Sequence, residues 1–227
     1  MVTGVGHRGQ VGETVARAFA ERGAFVHCLD RNASVHERVS ELTALGLHAA
    51  GHEIDLTDFQ ATSDLARQIA AAHGGQVAAV AALAGGFAPS GLIAQSDQSV
   101  FARQVAINLT SAYATARAFA PAVRAARGAF VFVTSAAVLG GGKVAGISAY
   151  AMAKGALVQL VRALSQEESP HGVRANAIAP TVIRTSTNVA SMGPGTRYVE
   201  REELAATIVA LCGPDFARVT GQVLELA

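Results

Sequence analysis

Apolar runs and amphipathic stretches alternate along the chain from one end to the other. Residues 24–29 (AFVHCL), 77–84 (VAAVAALA), 129–134 (AFVFVT), 173–178 and 222–226 are short and apolar, as strands buried on both faces of a sheet require. The 129–134 run, β-branched and aromatic, is the strongest of these. Between them, 11–22, 34–45, 59–72, 98–127, 150–168 and 201–211 space their apolar residues as one helical face. Strands alternating with helices of this length predict parallel βαβ units, an α/β fold with helices covering both faces of the sheet. Gly23 suits a left-handed helix end, Asp58 a helix N-cap, and Ser169-Pro170-His171-Gly172 a stop for the long helix before them. Only Met1 and Val2 precede the first glycine turn, so the first strand either begins at the initiator and is very short, or has residues upstream of this sequence. No repeat or linker divides the chain, which predicts a single domain over residues 1–227.

Composition narrows the function classes. Hydrophobic residues make up 51% and charged residues 15%, which excludes disorder. Eighteen basic against seventeen acidic residues leave a formal charge of +1, without the footprint of a nucleic-acid or anionic-membrane partner. Cys28 and Cys212 are too few for a disulfide framework and suit a reducing compartment. The opening MVTGVGHRG lacks an apolar signal core, and no run of 18 apolar residues occurs. A cytoplasmic protein is expected. His48 and His52 flank a short strand without Cys or Glu companions and read as surface residues, so no metal is expected.

Two motifs carry chemistry. Gly4, Gly6, His7, Arg8 and Gly9 lie in GVGHRG, a formal GxGxxG, with Gly12 at the following helix start. Such a turn lets backbone approach a pyrophosphate and aims helix amides at its charge. Asp30 ends the next strand, where a carboxylate either binds adenosine ribose hydroxyls or caps the turn into Arg31-Asn32. A carboxylate there repels a 2′-phosphate and favours NAD; Arg31 and Arg8 could pair with that phosphate and admit NADP. The second motif is Tyr150 and Lys154, one helical turn apart in YAMAKGALVQL. An ammonium beside a phenol favours phenolate, fitting the tyrosine to exchange a proton with a carbonyl or alcohol oxygen. Ser135 ends the strongest strand upstream and could bond the same oxygen.

In this order the motifs resemble the short-chain dehydrogenase/reductase family over nearly the whole chain. That resemblance implies a Rossmann-type, doubly wound parallel sheet and an NAD(P)-dependent oxidoreductase acting on a small carbonyl or alcohol substrate. By the same resemblance Tyr150 is the acid/base, Lys154 tunes it, Ser135 orients substrate and Asn108 of INLTSAY holds a relay water. Asp55 and Leu56 of EIDLTD would meet adenine, Ala84 and Gly85 the cofactor, and Pro180, Ile183 and Thr185 its nicotinamide end. A homodimer or homotetramer through the helices of 98–127 and 150–168 is also implied.

The departures from the family pattern are specific. TGVGHRGQVG stands for TGxxxGxG, Ala82-Leu83-Ala84-Gly85 for Asn-Asn-Ala-Gly, and Thr181 for the usual glycine after Pro180. Ser135 and Tyr150 are fifteen residues apart across Gly140-Gly141-Gly142, a separation that loop must absorb for Ser135 to reach substrate. Residues 84–87, 150–160 and 180–192 are locally similar to the dihydropteridine-reductase branch, the runner-up, which works without the serine. The segment 186–200 is expected to be a short substrate loop, a mobile lid or an open pocket wall. Within it Thr196-Arg197-Tyr198 either meets substrate or forms polar surface. The alternative from a different class is a cofactor-binding protein that has lost its chemistry.

Overall fold

The computed structural model describes residues 1–227. Seven parallel strands form one sheet in the order β3-β2-β1-β4-β5-β6-β7. These are β1 (Val2–Thr3), β2 (Val26–Asp30), β3 (Ala49–Glu53), β4 (Ala79–Ala82), β5 (Ala129–Val133), β6 (Arg174–Pro180) and β7 (Val223–Leu226). The helices are α1 (Val11–Ala20), α2 (Ser34–Ala44), α3 (Phe59–Ala72), α4 (Gln98–Val105), α5 (Ser111–Ala126), α6 (Ser148–Glu168), α7 (Ser186–Met192) and α8 (Arg201–Cys212). This is the doubly wound α/β architecture the alternation predicts.

Each face of the sheet has its own core. Leu157 and Val161 of α6, Phe119 and Val123 of α5 and Ile69 of α3 pack on Phe130 and Phe132. On the opposite face Val15, Val35, Leu204 and Ile208, from α1, α2 and α8, pack on Val2, Cys28, Val131 and Ile178. Alternate residues of β5 thus serve opposite cores, which explains its unbroken apolar sequence.

Local signals act as their chemistry requires. Asp58 caps α3 by accepting from Gln60 and Ala61 N–H, and α3 spans the residues the periodicity marks. Gly23 takes φ +83° after α1. The Ser169–His171 turn and left-handed Gly172 end α6. Two differences bear on function. The 98–127 helix is interrupted by a π-helical turn at Ala106–Thr110, which buries Asn108. Residues 186–192 fold into α7, and an isolated Ile183–Val199 bridge closes the segment behind it, so the expected loop is partly regular structure. Strand β1 is only two residues long, as expected, yet pairs with β2 and β4 and occupies the centre of the sheet.

Three histidines the sequence did not connect meet at one edge. His27 bonds His52 through Nδ1 (2.9 Å) and His73 through Nε2 (2.7 Å). These are opposite edges of one ring, so the imidazoles form a chain and do not converge on a point. His48 takes no part in it.

Candidate functional site

Strand order reverses at β1, whose neighbours are β2 and β4, and the crevice this creates lies beyond the carboxyl ends of the strands. A cleft of about 1240 Å³ opens there. It is lined at one end by Gly4, His7, Arg8, Gly12, Asp30, Arg31, Asp55 and Leu56. Ala84, Gly85, Ser135, Tyr150, Lys154, Pro180, Ile183 and Thr185 line the other.

Close packing at the first end explains its glycines. Thr3 Oγ1 accepts from Leu83 and Ala84 N–H at 2.9 Å each, tying β1 to the segment after β4. A side chain on Gly4, which has φ +75°, would come 3.2 Å from Ala84, and a Cβ on Gly12 would stand 2.1 Å from the Gly4 oxygen. The start of α1 therefore rests directly on the turn, and no side chain caps it at Gln10. Its first amides remain available to an anionic group, so the displaced glycines still fit a pyrophosphate.

Asp30 caps the turn and faces the cleft at once. It accepts from Asn32 N–H (3.0 Å) and Asn32 Nδ2 (2.8 Å), capping the turn, and it also lines the cleft. A Cβ on Gly6 would fall 2.6 Å from the Asp30 carboxylate, so Gly6 supports this carboxylate without itself lining the cleft. Asp55 accepts from the backbone and hydroxyl of Thr57 at 2.9 and 2.7 Å. These bonds hold its carboxyl below the usual range, with Arg31 adding a smaller pull. Arg8 is paired with Glu41 of α2.

At the other end Tyr150 and Ser135 come together. Burial pushes the Tyr150 phenol up, and a hydrogen bond with Ser135 opposes that rise. The downward pull thus comes from the serine and not from Lys154, as the spacing had suggested. Lys154 Nζ instead donates to the Val133 oxygen at 2.8 Å, and burial lowers its pKa to about 8. The long separation between Ser135 and Tyr150 is absorbed by a 3-10 turn at Ala136–Val138 and by Gly142, where a Cβ would meet the Ala137 oxygen at 2.1 Å.

Asn108 does not line the cleft. From the π-helical turn its Oδ1 accepts from Gly86 N–H (3.1 Å), and its Nδ2 donates to Gly86 and Gln104 oxygens. A Cβ on Gly85 would stand 2.6 Å from Asn108 Oδ1 and 3.4 Å from Lys154 Nζ, which brings the amide and the ammonium to the same wall. Gly9 also lies outside the cleft lining, at φ +75° with its oxygen accepting from Ser186 N–H.

The structure adds residues the sequence reading passed over. Phe87 lines the cleft and meets the Tyr150 ring edge-on at 5.1 Å. Ser186, Thr187, Asn188 and Ser191 of α7 line the opposite side. Gln10 Nε2 donates to Ser186 Oγ (3.1 Å) and Thr187 Oγ1 (3.0 Å), joining the glycine turn to α7 across the cleft. The polar run STN after Thr185 was the available signal, since Thr185 caps α7 by accepting from Asn188 N–H. Thr196, Arg197 and Tyr198 lie outside the cleft lining. Tyr198 donates to the Gly193 oxygen at 2.6 Å beneath the Arg184 guanidinium.

Residues 4–226 match a family model described as enoyl-(acyl carrier protein) reductase. The chain is 32% identical, over 99% of its own length and 91% of the relative's, to galactitol 2-dehydrogenase (L-tagatose-forming) of Cereibacter sphaeroides. A 3-oxoacyl-[acyl-carrier protein] reductase from Brucella melitensis with bound NAD superposes at TM-score 0.84 with 29% identity, covering 100% of this chain and 88% of that one. A protein of Beutenbergia cavernae described as an NAD(P)-dependent gluconate 5-dehydrogenase, with NADP bound at low occupancy, superposes at 0.87 with 28% identity. That match covers 99% of this chain and 93% of that one.

Proposed function

The chain belongs to the short-chain dehydrogenase/reductase family as an NAD(P)-dependent oxidoreductase of alcohol and carbonyl substrates, and from that premise we propose that NAD is its working cofactor and Tyr150 its acid/base group. The observation that carries the reading is the gathering of Ser135, Tyr150 and Lys154 in one cleft whose far end holds Asp30. The glycine turn at Gly4 and Gly12 would receive the pyrophosphate, Asp30 the adenosine ribose, Asp55 and Leu56 the adenine, and Ile183 and Thr185 the nicotinamide end. When bound, the nicotinamide supplies or accepts a hydride.

The chain's own side chains govern the proton. In the reductive direction the Tyr150 hydroxyl donates to the substrate oxygen as negative charge develops there, and the Ser135 hydroxyl bonds and orients that oxygen. Lys154, with its pKa near 8, is placed to replenish the proton through a water held at the Gly85–Asn108 wall. In the oxidative direction Tyr150 accepts the alcohol proton and the same groups carry it away. Phe87, packed on Tyr150, shields the reacting oxygen from bulk water.

Titration with NADH and NADPH, followed by turnover on a panel of ketones and secondary alcohols, tests this reading. NADH is expected to bind more tightly, and Tyr150→Phe to lower turnover by about 10²-fold or more while cofactor affinity stays near that of the wild type. Turnover insensitive to Tyr150→Phe would put the binding-only reading in its place. The local likeness to dihydropteridine reductase leads to a serine-independent mechanism, against which the Ser135–Tyr150 contact speaks. A loss on the order of 10²-fold in Ser135→Ala supports the serine-dependent course, and a near-normal rate the pterin one.

The assembly is proposed to be a homodimer or homotetramer, supported by exposed Phe59, Phe101 and Tyr113 on α3, α4 and α5. The free thiols of Cys28 and Cys212 favour a reducing cytoplasm. No helix is long and apolar enough to cross a membrane.

A further inference from the structure

Arg8 is the one basic residue of the GVGHRG turn, and it lines the cleft at the same end as Asp30. Its guanidinium nevertheless pairs with Glu41 on α2. Glu41 also pairs with Arg38, whose Nη2 lies 3.0 Å from the same Glu41 Oε1. The Arg38 side chain is 5% exposed, and its Nε has no partner, so this buried guanidinium depends on Glu41 and on Glu37 at 3.1 Å. An exposed Arg–Glu pair alone would hold Arg8 weakly. Anchored through Arg38, Glu41 has far less freedom to let go.

We propose that Glu41 is a positioning residue for cofactor choice: by holding Arg8 against α2, it withholds that cation from a ribose 2′-phosphate. Asp30 repels the phosphate directly, while Glu41 acts at second hand by occupying the turn's only cation. Arg31, the other cation lining this end, shares it with the Asp30 and Asp55 carboxylates. Rejection of NADPH thus has two separable parts, one at the end of β2 and one on α2. This inference rests on the NAD reading above.

Fluorescence titration of the full chain with NADH and NADPH tests it, comparing wild type, Glu41→Gln, Glu41→Asp, Arg8→Gln and the Arg8→Gln/Glu41→Gln double variant. Glu41→Gln leaves a neutral acceptor for the buried Arg38 but removes the charge that holds the exposed Arg8. It is expected to tighten NADPH relative to NADH by about tenfold, the worth of one charge-assisted contact. Glu41→Asp, which keeps the charge, should retain the wild-type ratio, and the double variant should lose the gain. An unchanged ratio in Glu41→Gln, or a gain that survives in the double variant, overturns the proposal. If Glu41→Gln does not fold, Arg8→Gln decides. A sequestered Arg8 predicts a change of less than about twofold in NADPH affinity, and a loss of about fivefold or more overturns the idea. Wild-type protein that prefers NADPH would overturn the NAD reading and this proposal together; NADH preference indifferent to Glu41 overturns this proposal alone.

Discussion

At Gly6 a hydrogen stands where any other residue would place a carbon 2.6 Å from the Asp30 carboxylate. The glycine is needed there for space, since its neighbour across the turn is a carboxylate that lines the cleft. Gly6→Ala is therefore expected to push Asp30 off its Asn32 partners and weaken NADH binding by about tenfold or more, with the circular dichroism spectrum unchanged. Isothermal titration checks it, and wild-type affinity would show that Asp30 can shift without cost. Individual residues were legible where type and position alone carry the meaning: Asp30, Tyr150, Lys154 and Ser135 all line the cleft. What spacing could not give was direction. Lys154 and Tyr150 are one turn apart, yet the ammonium is aimed at the Val133 oxygen across the β5–α6 contact, which sequence distance does not encode.

Among the elements, α5 and α6 are joined at their carboxyl ends by a two-pronged ion pair. Arg124 Nε and Nη2 reach Glu168 Oε2 and Oε1 at 2.9 and 2.6 Å, and Glu168 is buried. The Arg124 side chain is 46% exposed, so solvent screens part of the attraction. Removing the acid by Glu168→Gln is expected to cost about 1–2 kcal/mol of unfolding free energy near neutral pH. Arg124 holds the Glu168 carboxyl below its ordinary value. A group depressed in the folded state contributes stability above its unfolded pKa, about 4.3, and loses it as pH falls through the folded value. The difference between wild type and variant in urea melts should accordingly shrink below about pH 4. Element existence was readable from periodicity, and α3 to the residue, because Asp58 announces its start. The π-helical turn at Asn108 was not, since no Pro or Gly marks it. Nor was α7, seven residues lying between Thr185 and a glycine-containing stretch that resembles a loop.

For the molecule as a whole, two cores share one sheet, and β5 contributes to both. A single cooperative unfolding transition is expected, and its midpoint should depend on the histidine chain at the β2–β3 edge. Burial, and then the neighbouring His52, lower the His27 pKa to about 4. The unfolded chain, with His27 near 6.5, binds more protons than the folded one through this interval, so stability falls as pH drops from about 6.5 toward 4. Below that window the loss is complete. Thermal melts of His27→Asn should show a shallower slope across that range; an unaltered slope would assign the acid sensitivity to other groups.

The bonds from Gln10 to Ser186 and Thr187, with Ser186 N–H on the Gly9 oxygen, fasten the turn under the pyrophosphate position to the helix facing it. A dinucleotide lying between them would be buckled in by three hydrogen bonds, each individually weak and jointly slow to release. The narrower reactant, entering beside Phe87 and Tyr150, has no such strap to undo. Such a strap predicts traffic ordered in time, with the nucleotide first to arrive and last to leave, and product-inhibition patterns check it.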